Sequence, residues 1–522
     1  LIIRQSLLLQ LTSTKEWDII IIGGGASGLG IAVDAASRGF KTILFEQYDF
    51  AKGTSSKSTK LLHGGVRYLA QGDIKLVMEA LEERGHLKKN ARHLFKKQEF
   101  IIPNYSWWKG PYYLIGLKIY DWLSKRLSLG ASKFVSKKTV LKGLPTLKSK
   151  GLANGVSYFD GQFDDARLAI NLAQTAIELD AVCLNYMKVE RFNKNEYDII
   201  TSVEVLDTET KKRHTVKGKA IINATGIFTD SVLKMYNPKH KKTVIPSQGI
   251  HLMLDGSFLQ SEKAIMIPKT SDGRVLFIIP WHNKVIAGTT DTLIKKPKIE
   301  PQPLREEVDF ILETINQHLS KLATRDDVLS VFSGLRPLAK PAKEETATKE
   351  VSRSHKIIID NNLISILGGK WTTYRKMAED VIDQVIDSFR FNKIECKTSE
   401  TSIHGNIAEK IDAPEHLKFY GSDLAPYLNF EKSNPEYAEK IHSKYEFTKG
   451  QIVWSIQNEM AITVEDFLSR RIRLLLLDAM AAKESATVVA SIMAKELGYD
   501  ETWQQNQVTQ FNKLTEKYIL QE

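Results

Sequence analysis

Six residues, Trp17-Asp18-Ile19-Ile20-Ile21-Ile22, run straight into Gly23-Gly24-Gly25-Ala26-Ser27-Gly28, and this junction constrains the chain more than any other. A continuous apolar run reads as a strand buried on both faces, as in a parallel sheet. Residues 26–38 then carry small and apolar residues at helical spacing and stop at Arg38-Gly39. Lys41–Phe45 reads as a second strand, closed by Glu46. Together these make a βαβ unit. In Gly23-x-Gly25-x-x-Gly28 the first glycine permits a tight turn, and the second lets backbone approach a pyrophosphate. The third lets the helix pack close to the strand. The helix start, at Ala26 and Ser27, offers N–H groups and a positive dipole end to phosphates. Glu46 suits ribose hydroxyls, and its charge disfavours a 2′-phosphate. A lone GxGxxG is weak, but here strand, helix and acid all stand at the required distances.

The chain has 522 residues, too many for one simple core, so two or three lobes are expected. A hydrophobic content of 42% argues against disorder. The formal charge of +11 fits nucleic acid, an anionic membrane surface or an acidic substrate, and alone does not choose. Cys183 and Cys396 are the two cysteines, so neither a zinc ribbon nor a disulfide framework is expected, and a reducing compartment fits. Leu1–Leu11 is apolar but far below spanning length, and a frayed leader or an initial helical turn accounts for it. No other stretch is long and apolar enough to cross a bilayer, so membrane association is expected to be peripheral.

Further along, Ala181–Val189, Tyr197–Leu206 and Thr215–Asn223 read as strands. Gly249–Leu254, Val275–Pro280 and Lys284–Gly288 read as antiparallel strands joined by turns at Asp272-Gly273 and His282-Asn283. Leu363–Leu367 is another buried strand, followed by a helix from about Thr373 to Phe389. Beyond Cys396 the chain is first polar, then helical, with Val464–Ala482 and Ala486–Leu497 the best helices.

Three later segments bear on the cofactor. Ala220-Ile221-Ile222-Asn223-Ala224-Thr225-Gly226 ends a strand in a small-residue turn, as flavoproteins with two dinucleotide-binding motifs do. Leu367-Gly368-Gly369-Lys370-Trp371-Thr372-Thr373-Tyr374-Arg375 again joins a strand to a helix start. The N–H groups of such a start suit negative charge on a reduced flavin. The third segment runs from Gly53 through Thr54, Ser55, Ser58, Thr59, Leu61, Leu62, His63, Gly64 and Gly65 to Arg67, Tyr68 and Leu69. Its hydroxyls and glycines can wrap phosphate and flavin. For Lys57 and Lys60 a solvated basic face is the expected account.

These segments, with Ser333–Leu338 (SGLRPL) and Asn458–Leu474 (NEMAITVEDFLSRRIRL), resemble respiratory, FAD-dependent sn-glycerol-3-phosphate dehydrogenases from about residue 15 to about residue 512. No EF-hand loop follows the helical region, so the likeness is to the bacterial type. The resemblance implies an α/β fold: a Rossmann-like FAD-binding domain, an antiparallel β-sheet substrate domain and a C-terminal helical domain. The expected boundaries are 15–75, 150–243 and 330–395 for the FAD-binding domain. Residues 76–149 and 244–329 form the substrate-binding, membrane-facing region, and 396–522 the helical domain. The implied reaction oxidises sn-glycerol 3-phosphate to dihydroxyacetone phosphate by hydride transfer to flavin N5, with a membrane quinone as acceptor. An oxidase using oxygen, or a relative acting on another hydroxy acid or amine, is the alternative.

Arg336 and Arg67 are the candidates for the phosphate, because a guanidinium offers a planar fork of donors. Lys370 adds a point charge, Tyr68 a hydroxyl, and Thr290 a possible pocket wall. His251 stands where the family places a histidine by the flavin and is the candidate for taking the hydroxyl proton. Taken alone, a single histidine reads more often as a satisfied core residue. No metal site is expected. Tyr105–Gly130, with Trp107, Trp108, Tyr112 and Trp122 among cations, fits either a bilayer interface or internal packing, and the resemblance tips it towards an anionic lipid surface. Arg470, Arg471 and Arg473 are expected to pair internally rather than to bind nucleic acid. The resemblance places the protein peripherally on the cytoplasmic face of the inner membrane and is compatible with a homodimer.

Overall fold

The isoleucine run forms the middle of a six-stranded sheet in a computed structural model that describes residues 2–65, 73–124, 127–340 and 355–520. The order is Lys356–Asp360, Leu363–Leu367, Gly218–Asn223, Trp17–Ile22, Thr42–Phe45 and Val182–Leu184. Neighbours are parallel except at the Lys356–Asp360 edge. Ile19, Ile20 and Ile21 are wholly buried, as a central parallel strand requires. The Ala26–Ser37 helix packs against Tyr374–Phe389 and Asp165–Glu178.

A second sheet has ten strands and is antiparallel apart from the pairing of Ala264–Ile267 with Lys96–Asn104. Its main path runs Thr292–Leu293, Val244–Asp255, Lys284–Gly288, Leu276–Trp281, Ala264–Ile267, Lys96–Asn104, Asn154–Gln162 and Leu61–Leu62. Val328–Ala339 pairs with Val244–Asp255, and Lys133–Ser136 with Asn154–Gln162. The expected domain boundaries therefore cut this sheet. Leu61–Leu62, Asn154–Gln162 and all but the first two residues of Val328–Ala339 fall within the ranges expected for the FAD-binding domain, yet hydrogen-bond into the substrate sheet. The chain crosses between the two sheets several times, and a strand of two residues has no hydrophobic period to betray its partner.

The N-terminal helix Ile2–Ser13 is docked rather than frayed: Leu7 and Leu11 are buried, and Arg4 reaches the Asn185 carbonyl at 3.2 Å and Asp207 at 3.2 Å. The C-terminal region is helical as expected, with Lys449–Asn458, Ala479–Leu497 and Glu501–Thr515 as its main helices. The stretch read as one helix from Val464 to Ala482 is broken. Asp466–Arg471 is a π-helical turn, Arg473 takes φ +65°, and Asp478 caps the next helix by accepting from the Ala481 N–H at 3.0 Å. The break lets Arg470 and Arg471 close on Asp49 while Arg473 turns to Asp165.

The helix Lys109–Ser124 has two apolar faces. Leu117 and Tyr120 are buried, whereas Trp108, Tyr112, Ile115, Ile119 and Trp122 repeat at helical spacing on the outside and are 45–72% exposed. Tyr120 reaches inward to Asp160, and its oxygen accepts the Gly64 N–H at 3.0 Å. Among the described residues no helix is long and apolar enough to cross a membrane.

Candidate active site

A cavity of about 660 Å³ opens at the carboxyl ends of the parallel strands, lined there by Ile22, Phe45, Asn223's neighbour Ala224 and Ile366. Open α/β sheets bind ligands at this place, and cofactor pockets span roughly 300–1,000 Å³. Gly23, Gly25, Ala26, Ser27, Glu46, Thr54, Ser55, Ser58, Thr59, Leu61, His63, Ala224, Thr225, Gly226, Gly369, Lys370 and Thr372 all line it. Gly23 takes φ +109°, which only glycine adopts readily. A Cβ on Gly28 would lie 1.9 Å from the Gly23 carbonyl oxygen, so the third glycine serves helix-on-strand packing. Gly25 caps the helix with no side chain of its own, and Ser55 Oγ accepts from the Ala26 N–H at 2.9 Å. Glu46 accepts from the N–H groups of Gly24 at 2.7 Å and Tyr48 at 2.9 Å, and burial raises its pKa. The carboxylate thus holds the glycine turn while bordering the cavity.

Four expected cofactor residues stand behind this wall. Gly28 and Leu62 are buried, Leu62 pairing with Gly161. Gly64 bonds Tyr120, and Gly65 takes φ +77° as the chain enters residues 66–72. These residues shape the wall instead of facing the cavity. Arg67 and Tyr68 lie outside the described residues.

His251, Arg336 and Lys370 line the same cavity. His251 is 2% exposed on the Val244–Asp255 strand, and its ring stacks on Phe332 with centroids 4.9 Å apart. Its Nε2 lies 2.9 Å from Thr59 Oγ1. Burial, reinforced by the cations of Lys60 and Arg336, holds its pKa well below the ordinary value. The imidazole is therefore neutral near neutral pH. Arg336, opposite Ser247 on the neighbouring strand, donates to the carbonyls of Thr290 at 3.1 Å and Gln248 at 3.4 Å, and to Thr289 Oγ1 at 3.2 Å. Asp291 Oδ1 lies 3.5 Å from it. Sequence reasoning missed Gly249, although Ser247, Gly249 and His251 share one strand face. A Cβ there would meet Arg336 Nη2 at 2.4 Å, so this glycine makes room for the guanidinium.

Thr290 does not line the cavity. Its hydroxyl donates to Glu307 at 2.8 Å and accepts the Ile250 N–H at 3.1 Å. Its contribution is the carbonyl that holds Arg336.

The loop from Lys52 to Lys60 is locked by buried charges. Lys57 and Lys60, expected on a solvated face, are both buried. Lys57 bonds Glu300 at 2.5 Å. Lys60 bonds Asp165 at 2.7 Å, and burial pushes its pKa down to about 8 even against the pull of that carboxylate. Asp165 also accepts from Ser58 Oγ at 2.6 Å and from Arg473 at 2.9 Å. Arg470 and Arg471 share Asp49 at 2.5 and 2.7 Å, so the tail arginines do pair internally. The signal available in sequence was weak, because charges a hundred or more residues apart carry no common spacing.

A dinucleotide cradle continuous with a cationic pocket defines an FAD-dependent oxidoreductase. Residues 18–369 match the family model for FAD-dependent oxidoreductases, and residues 362–504 match the C-terminal domain of alpha-glycerophosphate oxidase. A probable mitochondrial glycerol-3-phosphate dehydrogenase of Caenorhabditis elegans is 37% identical over 97% of this chain and 74% of its own length. The Schizosaccharomyces pombe mitochondrial enzyme is 35% identical over 95% of this chain and 87% of its own. The crystal structure of the Bacillus halodurans glycerol-3-phosphate dehydrogenase complexed with FAD superposes with a TM-score of 0.81 at 30% identity, covering 99% of this chain and 98% of that one. The chain belongs to the FAD-dependent glycerol-3-phosphate dehydrogenases. Its cofactor is FAD, and its reaction is the oxidation of glycerol 3-phosphate.

Proposed function

We propose that the chain converts sn-glycerol 3-phosphate to dihydroxyacetone phosphate with Arg336, Lys370 and His251 as its working residues, and passes the electrons to a membrane quinone. The observation that carries this reading is the meeting of His251, Arg336 and Lys370 in the cavity that the glycine turn also lines. Gly23, Gly25, Ser27, Glu46, Thr54, Ser55 and Gly369 would hold FAD, which when bound supplies the hydride acceptor. Arg336 binds the phosphate, its plane fixed by the carbonyls of Gln248 and Thr290. Arg67 and Tyr68 complete the phosphate site in this reading. Lys370 brings a positive charge to the substrate oxygen as the C2 hydroxyl loses its proton. Neutral His251 takes that proton, with Phe332 holding the ring plane and Thr59 setting its orientation.

A quinone dissolved in lipid requires contact with a bilayer. The outward face of Lys109–Ser124 supports that contact: Trp107, Trp108, Tyr112, Ile115, Ile119 and Trp122 stand exposed beside Lys109 and Lys118. Rings and ammonium groups both find partners at a membrane interface, so the helix lies on the surface of an inner membrane without crossing it. The exposure of these side chains supports the interfacial account over internal packing.

The test is an anaerobic titration of the purified yellow protein. Glycerol 3-phosphate bleaches the flavin, and a short-chain quinone restores its colour. Peroxide release in air at a rate matching turnover would support the oxidase reading, which the name of the C-terminal family model favours. A flavin that substrate does not bleach would end the assignment.

A further inference from the structure

Two lysine-rich loops, 53 residues apart at their point of contact, meet at one end of the Val244–Asp255 strand. Lys239, Lys241 and Lys242 precede that strand. Lys295, Lys296 and Lys298 follow Thr292–Leu293, which pairs with it. Lys242 Nζ donates to the Lys295 carbonyl at 3.2 Å, so the loops touch. All six side chains are exposed, and among the described residues none of the six is ion-paired. Among the described residues the nearby carboxylates are engaged elsewhere. Asp230 accepts from the N–H groups of Thr243 and Val244 and from Thr243 Oγ1, and it meets His240. Asp291 faces Arg336, and Glu300 is held by Lys57. Like charges gathered in this way repel one another, so stability does not account for the array.

Its position offers an account. Val244 stands opposite Ala339, and Ser247 stands opposite Arg336. Three residues of strand span about 10 Å, close to one Debye length at physiological salt. The Arg336 side chain is 31% exposed where it lines the cavity. Ile299, directly after Lys298, lines the cavity. A dianion held loosely by these lysines is therefore within electrostatic reach of the guanidinium.

We propose that the six lysines form a capture surface for the phosphorylated substrate, raising its local concentration at the mouth of the cavity and delivering it to Arg336. This rests on glycerol 3-phosphate being the substrate. The test compares the holoenzyme with a Lys241→Gln/Lys242→Gln/Lys295→Gln/Lys296→Gln variant. The readout is the second-order rate constant of flavin bleaching at low glycerol 3-phosphate, followed across ionic strength. At about 10 mM salt the variant loses roughly tenfold, and above about 0.5 M the two proteins converge. The bleaching rate at saturating substrate stays the same in both. A quadruple Lys→Arg variant keeps the wild-type salt dependence, and its failure to do so counts against a role for charge alone. Equal salt dependence in wild type and Gln variant overturns the proposal. So does a Gln variant that keeps the wild-type salt dependence but no longer sediments with phosphatidylcholine vesicles containing phosphatidylglycerol, which assigns the lysines to a lipid surface. If the Gln variant does not fold, the wild-type constant itself decides: it falls with added salt under the proposal, and a constant indifferent to salt refutes it. Wild type that is not bleached at all sinks the substrate assignment, a result distinct from every one of these.

Discussion

Replacing Arg336 with alanine isolates the phosphate site. Among the described residues it is the arginine that lines the cavity, and its guanidinium is already oriented by the carbonyls of Gln248 and Thr290 and by Asp291. A charge-assisted hydrogen bond contributes about 1.5–3 kcal/mol, and a guanidinium can make two to one phosphate. Because the side chain is 31% exposed, solvent screens part of this. Taking about 3 kcal/mol as the surviving share, half-saturation rises on the order of 150-fold. Asp291 adds to the loss, since its charge then faces the phosphate without the arginine between them. Removing it as well, in Arg336→Ala/Asp291→Asn, recovers about tenfold of the affinity, the worth of ~1.4 kcal/mol. Rapid anaerobic mixing gives both half-saturation and the limiting rate from the loss of the flavin's visible colour. The limiting rate changes far less than half-saturation, because phosphate binding acts equally on ground and transition states. Half-saturation within threefold of wild type for Arg336→Ala would remove the phosphate from this end of the cavity.

Other perturbations follow from the same geometry. His251→Asn keeps the fold and the flavin but slows bleaching roughly 10²–10⁴-fold, and an unchanged bleaching rate assigns the proton transfer to another group. Asp165→Asn strips Lys60 and Arg473 of their shared carboxylate deep in the protein, at a cost of about 3–5 kcal/mol. Calorimetry shows a lower melting temperature and gel filtration shows lost flavin, and wild-type values in both would contradict the locking role of that carboxylate. His404 sets a pH dependence. Burial pushes its pKa down, but hydrogen bonds to Asp423 and Glu178 outweigh that and raise it to about 9. Its folded value lies above the unfolded value of about 6.5, so its stabilisation is complete below pH 6.5 and disappears as the pH climbs to 9. His404→Gln flattens melting temperature across that interval, and a variant as pH-sensitive as wild type argues against it. Trp122→Ser with Ile115→Ser weakens sedimentation with anionic vesicles roughly tenfold or more, while soluble-acceptor turnover stays unchanged.

The cofactor end of the site was legible because its constraints are local. Gly23, Gly25, Gly28 and Glu46 lie within 24 residues, and each is demanded by a turn, a close approach or a ribose. His251 and Arg336 were readable only through family likeness, since what joins them is the register of two long strands. Gly249 escaped notice for the same reason: its meaning depends on a side chain 87 residues later. Lys57 and Lys60 were misread because a lysine beside serines and threonines looks solvated in sequence. Their burial depends on Glu300 and Asp165, which no local pattern links to them. The interleaving of the two sheets was not legible either, since strands of the substrate sheet lie in sequence between the stretches that build the other one.

The arginines near the end of the chain have a bearing on biogenesis. Arg470 and Arg471 close on Asp49 across more than four hundred residues, and Arg473 closes on Ser56 and Asp165. The glycine turn is synthesised long before these arginines, and Asp49 beside it stays without a cationic partner until they arrive. Holoenzyme assembly thus waits for residues 470–473: a polypeptide truncated before residue 470 carries the glycine turn but lacks the arginines that compensate Asp49 beside it.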